Sequence, residues 1–195
     1  LSVHGREDEA LQLCVDWAKA APSDPQVYVR WGTLLAKGGH RDRAKPTLST
    51  VVDVRPGDPN SHARLGAALR DVGMYADAIV QFQEVARLRP EEHGGQWEIV
   101  ATHLTAGNLE LATQEFTVLK QKWGGVAEGL RPRLAEHALQ GIEAAKKSGD
   151  AARVKKLRTW CGENGVVEAG LFEIRIVMTW DAMSDVDLDV RGPWG

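Results

Sequence analysis

Residues 24–56, DPQVYVRWGTLLAKGGHRDRAKPTLSTVVDVRP, and residues 58–90, DPNSHARLGAALRDVGMYADAIVQFQEVARLRP, are one pattern written twice. Asp24-Pro25 returns as Asp58-Pro59, Trp31-Gly32 as Leu65-Gly66, Gly39 as Gly73, Ala44 as Ala78, Leu48 as Phe82 and Arg55-Pro56 as Arg89-Pro90, always 34 residues on. A period of this length is one helix-turn-helix unit, which cannot bury its apolar face alone and needs a stacked neighbour. Asp before Pro suits a capped first turn, and the mid-unit glycine supplies the left-handed turn between helices. The fold class that follows is mainly α, a solenoid of helix pairs. Such a surface is built for contact.

Upstream, residues 7–20 place Ala10, Leu11, Cys14, Val15 and Trp17 on one side of a helix closed by Ala21-Pro22. Counting back 34 from Ala44 and Leu48 reaches Ala10 and Cys14, so residues 5–22 are the second helix of a unit whose first helix lies outside this sequence. The expectation is that further repeats precede Leu1, or that another chain covers this helix, including a second copy. Repeats 25–56 and 59–90 are followed by a third at 94–124. Sliding its first helix by one residue turns Trp97, Val100, Ala101 and Leu104 inward, and Leu109, Ala112, Phe116 and Leu119 return to phase after Gly107-Asn108. Trp123-Gly124-Gly125 ends it. Residues 130–164 read as a degenerate capping pair, in which Pro132 opens a helix and Ser148-Gly149-Asp150 turns the chain. The helical domain thus covers residues 1–164.

From Leu171 the period becomes alternating. Leu171 to Trp180 reads as a strand, and Val186, Leu188 and Val190 alternate with Asp185, Asp187 and Asp189 as a second. The segment 171–195 is therefore a short β segment that stops inside a unit, with strand edges open to pairing with helix surface or with a second copy.

Composition narrows the function. A net charge of −3, mixed along the chain, gives no basic face for nucleic acid. No apolar run is long enough to span a membrane. Cys14 and Cys161 each fall on an apolar helical stripe, which reads as buried free thiols rather than a disulfide. His4, His40, His62, His93, His103 and His137 are scattered, with no pair at metal-ligand spacing, and His62 occupies an inward position where core packing outweighs ligation. There is no CxxC pair, phosphate loop or nucleophile elbow, so an enzyme is not expected. Asp181, Asp185, Asp187 and Asp189 have the composition of a calcium site. Alternate carboxylates on a strand lie about 7 Å apart and the outer two about 13 Å, too far for one ion to bridge. A solvated acidic face and a calcium site completed by Asp181 both stay open.

The inward residues Tyr28, Trp31, Gly32, Leu35, Ala44, Leu48, Val51 and Pro56, and then His62, Leu65, Gly66, Leu69, Ala78, Phe82, Val85 and Pro90, resemble the tetratricopeptide family. The resemblance implies a right-handed superhelix whose first helices line a concave groove for a peptide or protein. The groove positions map to Val29, Arg30, Thr33 and Lys37, to Asn60, Arg64 and Arg70, and to Glu98 and Thr102. Arg30 and Arg64 are equivalent, and with Lys37 and Arg70 they make a modestly basic floor suited to an acidic partner. Ordinary solvated arginines paired with Asp71 or Glu98 are the alternative. Members that clamp the carboxyl terminus of chaperone peptides carry Lys, Asn and Arg where this chain has Val29, Thr33, Arg64, Gly95 and Ile99, so that use is not expected.

Thr179-Trp180-Asp181, Asp185-Val186-Asp187-Leu188 and Gly192-Pro193 are similar to the opening of a bacterial all-β module, the domain of unknown function family 2135. That likeness implies a bacterial source and a cell-envelope or periplasmic location over a cytoplasmic one. The function expected first is a non-enzymatic interaction scaffold. The rival is a calcium- or glycan-binding β module carried on a helical spacer or oligomeriser.

Overall fold

Asp24 and Asp58 perform the same task one repeat apart. Each carboxylate accepts a 2.9 Å hydrogen bond from the backbone N–H two residues on, at Gln26 and Asn60, and each is followed by a proline at the first helical position. The groups satisfied are orphan donors of a helix N-terminus. The computed structural model describes residues 3–166, 175–180 and 186–191, with side chains over 7–166. Eight helices run in order among them: α1 (Val3–Ala20), α2 (Pro25–Lys37), α3 (Arg41–Asp53), α4 (Pro59–Asp71), α5 (Tyr75–Leu88), α6 (Gly94–Ala106), α7 (Leu109–Lys147) and α8 (Ala151–Glu163). Gly39, Gly73 and Gly107 turn one helix into the next with φ of 86°, 76° and 75°. That left-handed region suits glycine, which has no Cβ to collide.

Within each unit the helices meet at a glycine. A Cβ on Gly32 would overlap Leu48, and one on Gly66 would lie 2.7 Å from the Phe82 ring. The small residue thus lets α2 and α4 close on α3 and α5. Between units the apolar faces merge into two clusters. Leu48, Val51, Leu65, Leu69, Phe82 and Ile99 form one. The other joins Trp97, Leu104, Phe116, Leu134, Leu157 and Trp160. Helix α6 contributes to both, and its Trp97, Val100, Ala101 and Leu104 are all buried, as the slid register requires. The stacked pairs make a tetratricopeptide-like helical solenoid. No helix is long and apolar enough to cross a membrane.

At the third repeat the chain departs from expectation. Trp123, expected to end the third repeat, is where the helix kinks, but Pro132 lies inside a helix instead of starting one. Helix α7 runs through both, broken only at Trp123 (φ −137°, ψ 52°). Ala127, Leu130 and Leu134 follow the kink at helical spacing and are buried. That burial outweighs the helix penalty of the three nearby glycines. Pro132 is exposed, so its missing N–H falls on the solvent side of the helix.

Two strands, β1 (Arg175–Trp180) and β2 (Val186–Arg191), pair antiparallel from Arg175 opposite Arg191 to Trp180 opposite Val186. This ladder is the only β structure among the described residues, and two strands do not make an independent domain. The aspartate cluster lies outside the described residues: Asp181 and Asp185 entirely, and the side chains of Asp187 and Asp189.

Candidate binding face

Helices α2, α4 and α6 are the first helices of successive pairs, and the residues expected to line a groove lie on them. The structure divides those residues into two groups. Arg30, Lys37, Asn60 and Arg64 are exposed, while Thr33 is half-buried and Val29 packs against the core cluster around Leu65. Arg70, Glu98 and Thr102 are turned into the molecule. Arg70 forms an ion pair with Glu98, with side-chain exposures of 10% and 24%, and Thr102 is fully buried. The Thr102 hydroxyl donates to the Glu98 carbonyl at 2.7 Å and lies 3.5 Å from the Arg70 guanidinium, which sits 5.3 Å from the centre of the Phe82 ring. For Arg70 the open basic floor is corrected in favour of the stated alternative, pairing with Glu98. A guanidinium on the last turn of α4 reaches a carboxylate on α6, and the pair ties two repeats together instead of facing a ligand.

What stays open is a hollow of about 360 Å³ where α4 begins, between the end of α3 and the start of α2. Asn60 and Arg64 line it, and so does Arg55, which sequence reasoning missed. The signal was present. Arg55-Pro56 repeats as Arg89-Pro90, and in the second copy Arg89 donates to the Asn60 side-chain oxygen at 3.3 Å. The backbone N–H of Asn60 holds the Asp58 carboxyl below the usual carboxylate range, with help from Ser61, Arg55 and Arg89. Among the described residues neither Arg30 nor Arg64 takes part in an ion pair.

Further along the array, Arg133 lies 4.4 Å from the centre of the Trp97 ring, a cation over an indole face. It was hidden from the sequence because the helix was expected to begin one residue earlier, with no repeat to align it. His137 beside it is pushed down to about 4, first by burial, then by the charge of Arg70, with Arg133 adding to the effect. His62 is buried, with one ring nitrogen 2.8 Å from the Gln81 side-chain oxygen and the other 2.9 Å from the Pro56 carbonyl, a satisfied core position. Cys14 and Cys161 are free and buried, and burial pushes the Cys161 thiol up to about 12, so it stays protonated at neutral pH. No group of three or more metal-ligating side chains is found among the described residues.

A second depression, of about 500 Å³, separates the first turns of α7 from α8 and has Leu109, Ala152 and Trp160 on its walls. Trp160 donates to the Thr113 hydroxyl at 2.8 Å. On α1, Leu13 and Trp17 remain 70% and 39% exposed.

No family model matches the chain, and no curated protein matches it. The likeness of residues 171–195 to an all-β module therefore has no support. Solved structures do align. MamA from Desulfovibrio magneticus RS-1 has a TM-score of 0.45 and 21% identity over 82% of this chain and 88% of that one. Another MamA crystal structure gives 0.44 and 16% over 83% and 90%. YrrB, described as a TPR protein with an unusual peptide-binding site, gives 0.41 and 12% over 82% and 78%. At these TM-scores and identities the likeness is one of helical architecture, and nothing about residues or ligands is carried over.

Proposed function

We propose that the protein is a non-catalytic interaction scaffold that binds an acidic peptide or protein segment in a groove along α2, α4 and α6. The observation that carries this reading is the pair Arg30 and Arg64, equivalent across one repeat, both exposed and neither committed to an ion pair. Exposed arginines at a fixed spacing offer bidentate donors to carboxylates on an extended chain. The Arg70–Glu98 pair contributes indirectly, by holding α4 against α6 so that the face keeps its shape. Replacing Arg30 and Arg64 together with glutamate is expected to weaken binding of a labelled Glu-rich peptide by about tenfold or more, roughly 1.4 kcal/mol. A titration with unchanged affinity would place the binding site elsewhere.

A further inference from the structure

The hollow at the start of α4 holds more free donors than free acceptors. Arg55, on the loop after α3, and Arg64, on α4, are exposed, and among the described residues neither side chain is held by an ion pair or hydrogen bond. The Asn60 side-chain oxygen accepts from Arg89, which leaves its NH2 group to donate. The one carboxylate in the lining is already engaged. Asp58 accepts from the Asn60 backbone N–H at 2.9 Å and from the Ser61 hydroxyl at 3.3 Å, and it feels the charges of Arg55 and Arg89. Val54 and Ala63 complete the wall with apolar surface, with the buried Val51 behind them. Unused cationic donors above a short apolar wall are complementary to a short aliphatic stem that ends in an oxyanion.

We propose that this hollow is a specificity pocket for one anionic side chain of a bound peptide, a glutamate or a phosphoserine, gripped by Arg55 and Arg64 with the Asn60 amide. The pocket rests on the groove reading and deepens it: the α2–α4 face holds the peptide, and the hollow selects one residue of it. A volume of about 360 Å³ admits either side chain. Arg55 is the diagnostic residue, because it lines the hollow but does not belong to the face of first helices.

Fluorescence polarisation on the full chain tests this with labelled peptides of about twelve residues, flanked by aspartates and differing only at a central Glu, phosphoserine or Gln. Arg55→Gln is expected to weaken the anion-centred peptides by about tenfold and the Gln-centred one by less than about twofold. Ala63→Met, which fills the hollow and spares both arginines, is expected to act in the same way, and circular dichroism checks that each variant is folded. Tighter binding of the phosphoserine peptide makes the anion a phosphoryl group, and equal or tighter binding of the glutamate peptide makes it a carboxylate. An Arg55→Gln effect equal on all three peptides, or absent, overturns the pocket. The groove reading survives that result if Arg30→Glu still weakens all three, whereas failure of every peptide to bind overturns both.

Discussion

Gly66 shows how much a single missing methyl decides. In a helix interior Gly→Ala is ordinarily favourable by about 1 kcal/mol. Here the new Cβ would lie 2.7 Å and 2.8 Å from two atoms of the Phe82 ring, which is 1% exposed and has nowhere to move. Overpacking of this kind costs about 1–3 kcal/mol, so the variant is expected to lose stability despite its better propensity, as a lowered urea midpoint would show. His137 makes a prediction in pH. Burial and Arg70 bring its folded value from the ordinary 6.5 down to about 4, so between those values the unfolded chain binds a proton that the folded protein refuses. Stability is then complete above about pH 6.5 and falls as the pH is lowered toward 4, with His103, also lowered by burial, acting in the same direction. His137→Phe keeps a ring beside Trp97 and removes the proton site, and it is expected to flatten that slope in urea titrations at pH values of about 7 and 5.

Helix ends carry the joints between repeats. Arg153 on α8 donates to the Thr105 and Ala106 carbonyls, so a guanidinium supplies partners for the C-terminal orphan acceptors of α6. Arg153→Ala is expected to cost about 1–2 kcal/mol and to lower the melting temperature. No sequence pattern pointed to this contact, since Arg153 and Ala106 are joined only by the fold. The interruption at Trp123 was legible, and what stayed hidden is that helix resumes directly after it. Glycine and proline around it read as a break, and only the burial of Ala127, Leu130 and Leu134 keeps the helix going.

Taken whole, the array has an uneven distribution of stability. Nine of the 13 residues of α6 are buried, and it packs on both α5 and α7. By contrast α1 rests on α2 and leaves Leu13 and Trp17 exposed. In a solenoid each unit is stabilised by its neighbours, so opening is local and follows this gradient. Amide hydrogen exchange is expected to be fastest in α1 and slowest in α6 among the eight helices. Equal protection in the two would mean that the array unfolds as one block.

The helix pairs were readable from residues 24–90 because a repeat states its core twice: whatever returns after 34 positions, as Gly32 and Gly66 or Leu48 and Phe82 do, must meet the same environment. The slid register of Trp97 was readable for the same reason. Commitment of side chains was not. Arg64 and Arg70 lie on one helix and look alike in sequence, yet one faces a hollow and the other is paired with Glu98 on the next repeat. Periodicity says which face of a helix points outward. Whether a charged group there is free depends on what a residue 28 positions away brings within hydrogen-bond reach, and packing in three dimensions sets that.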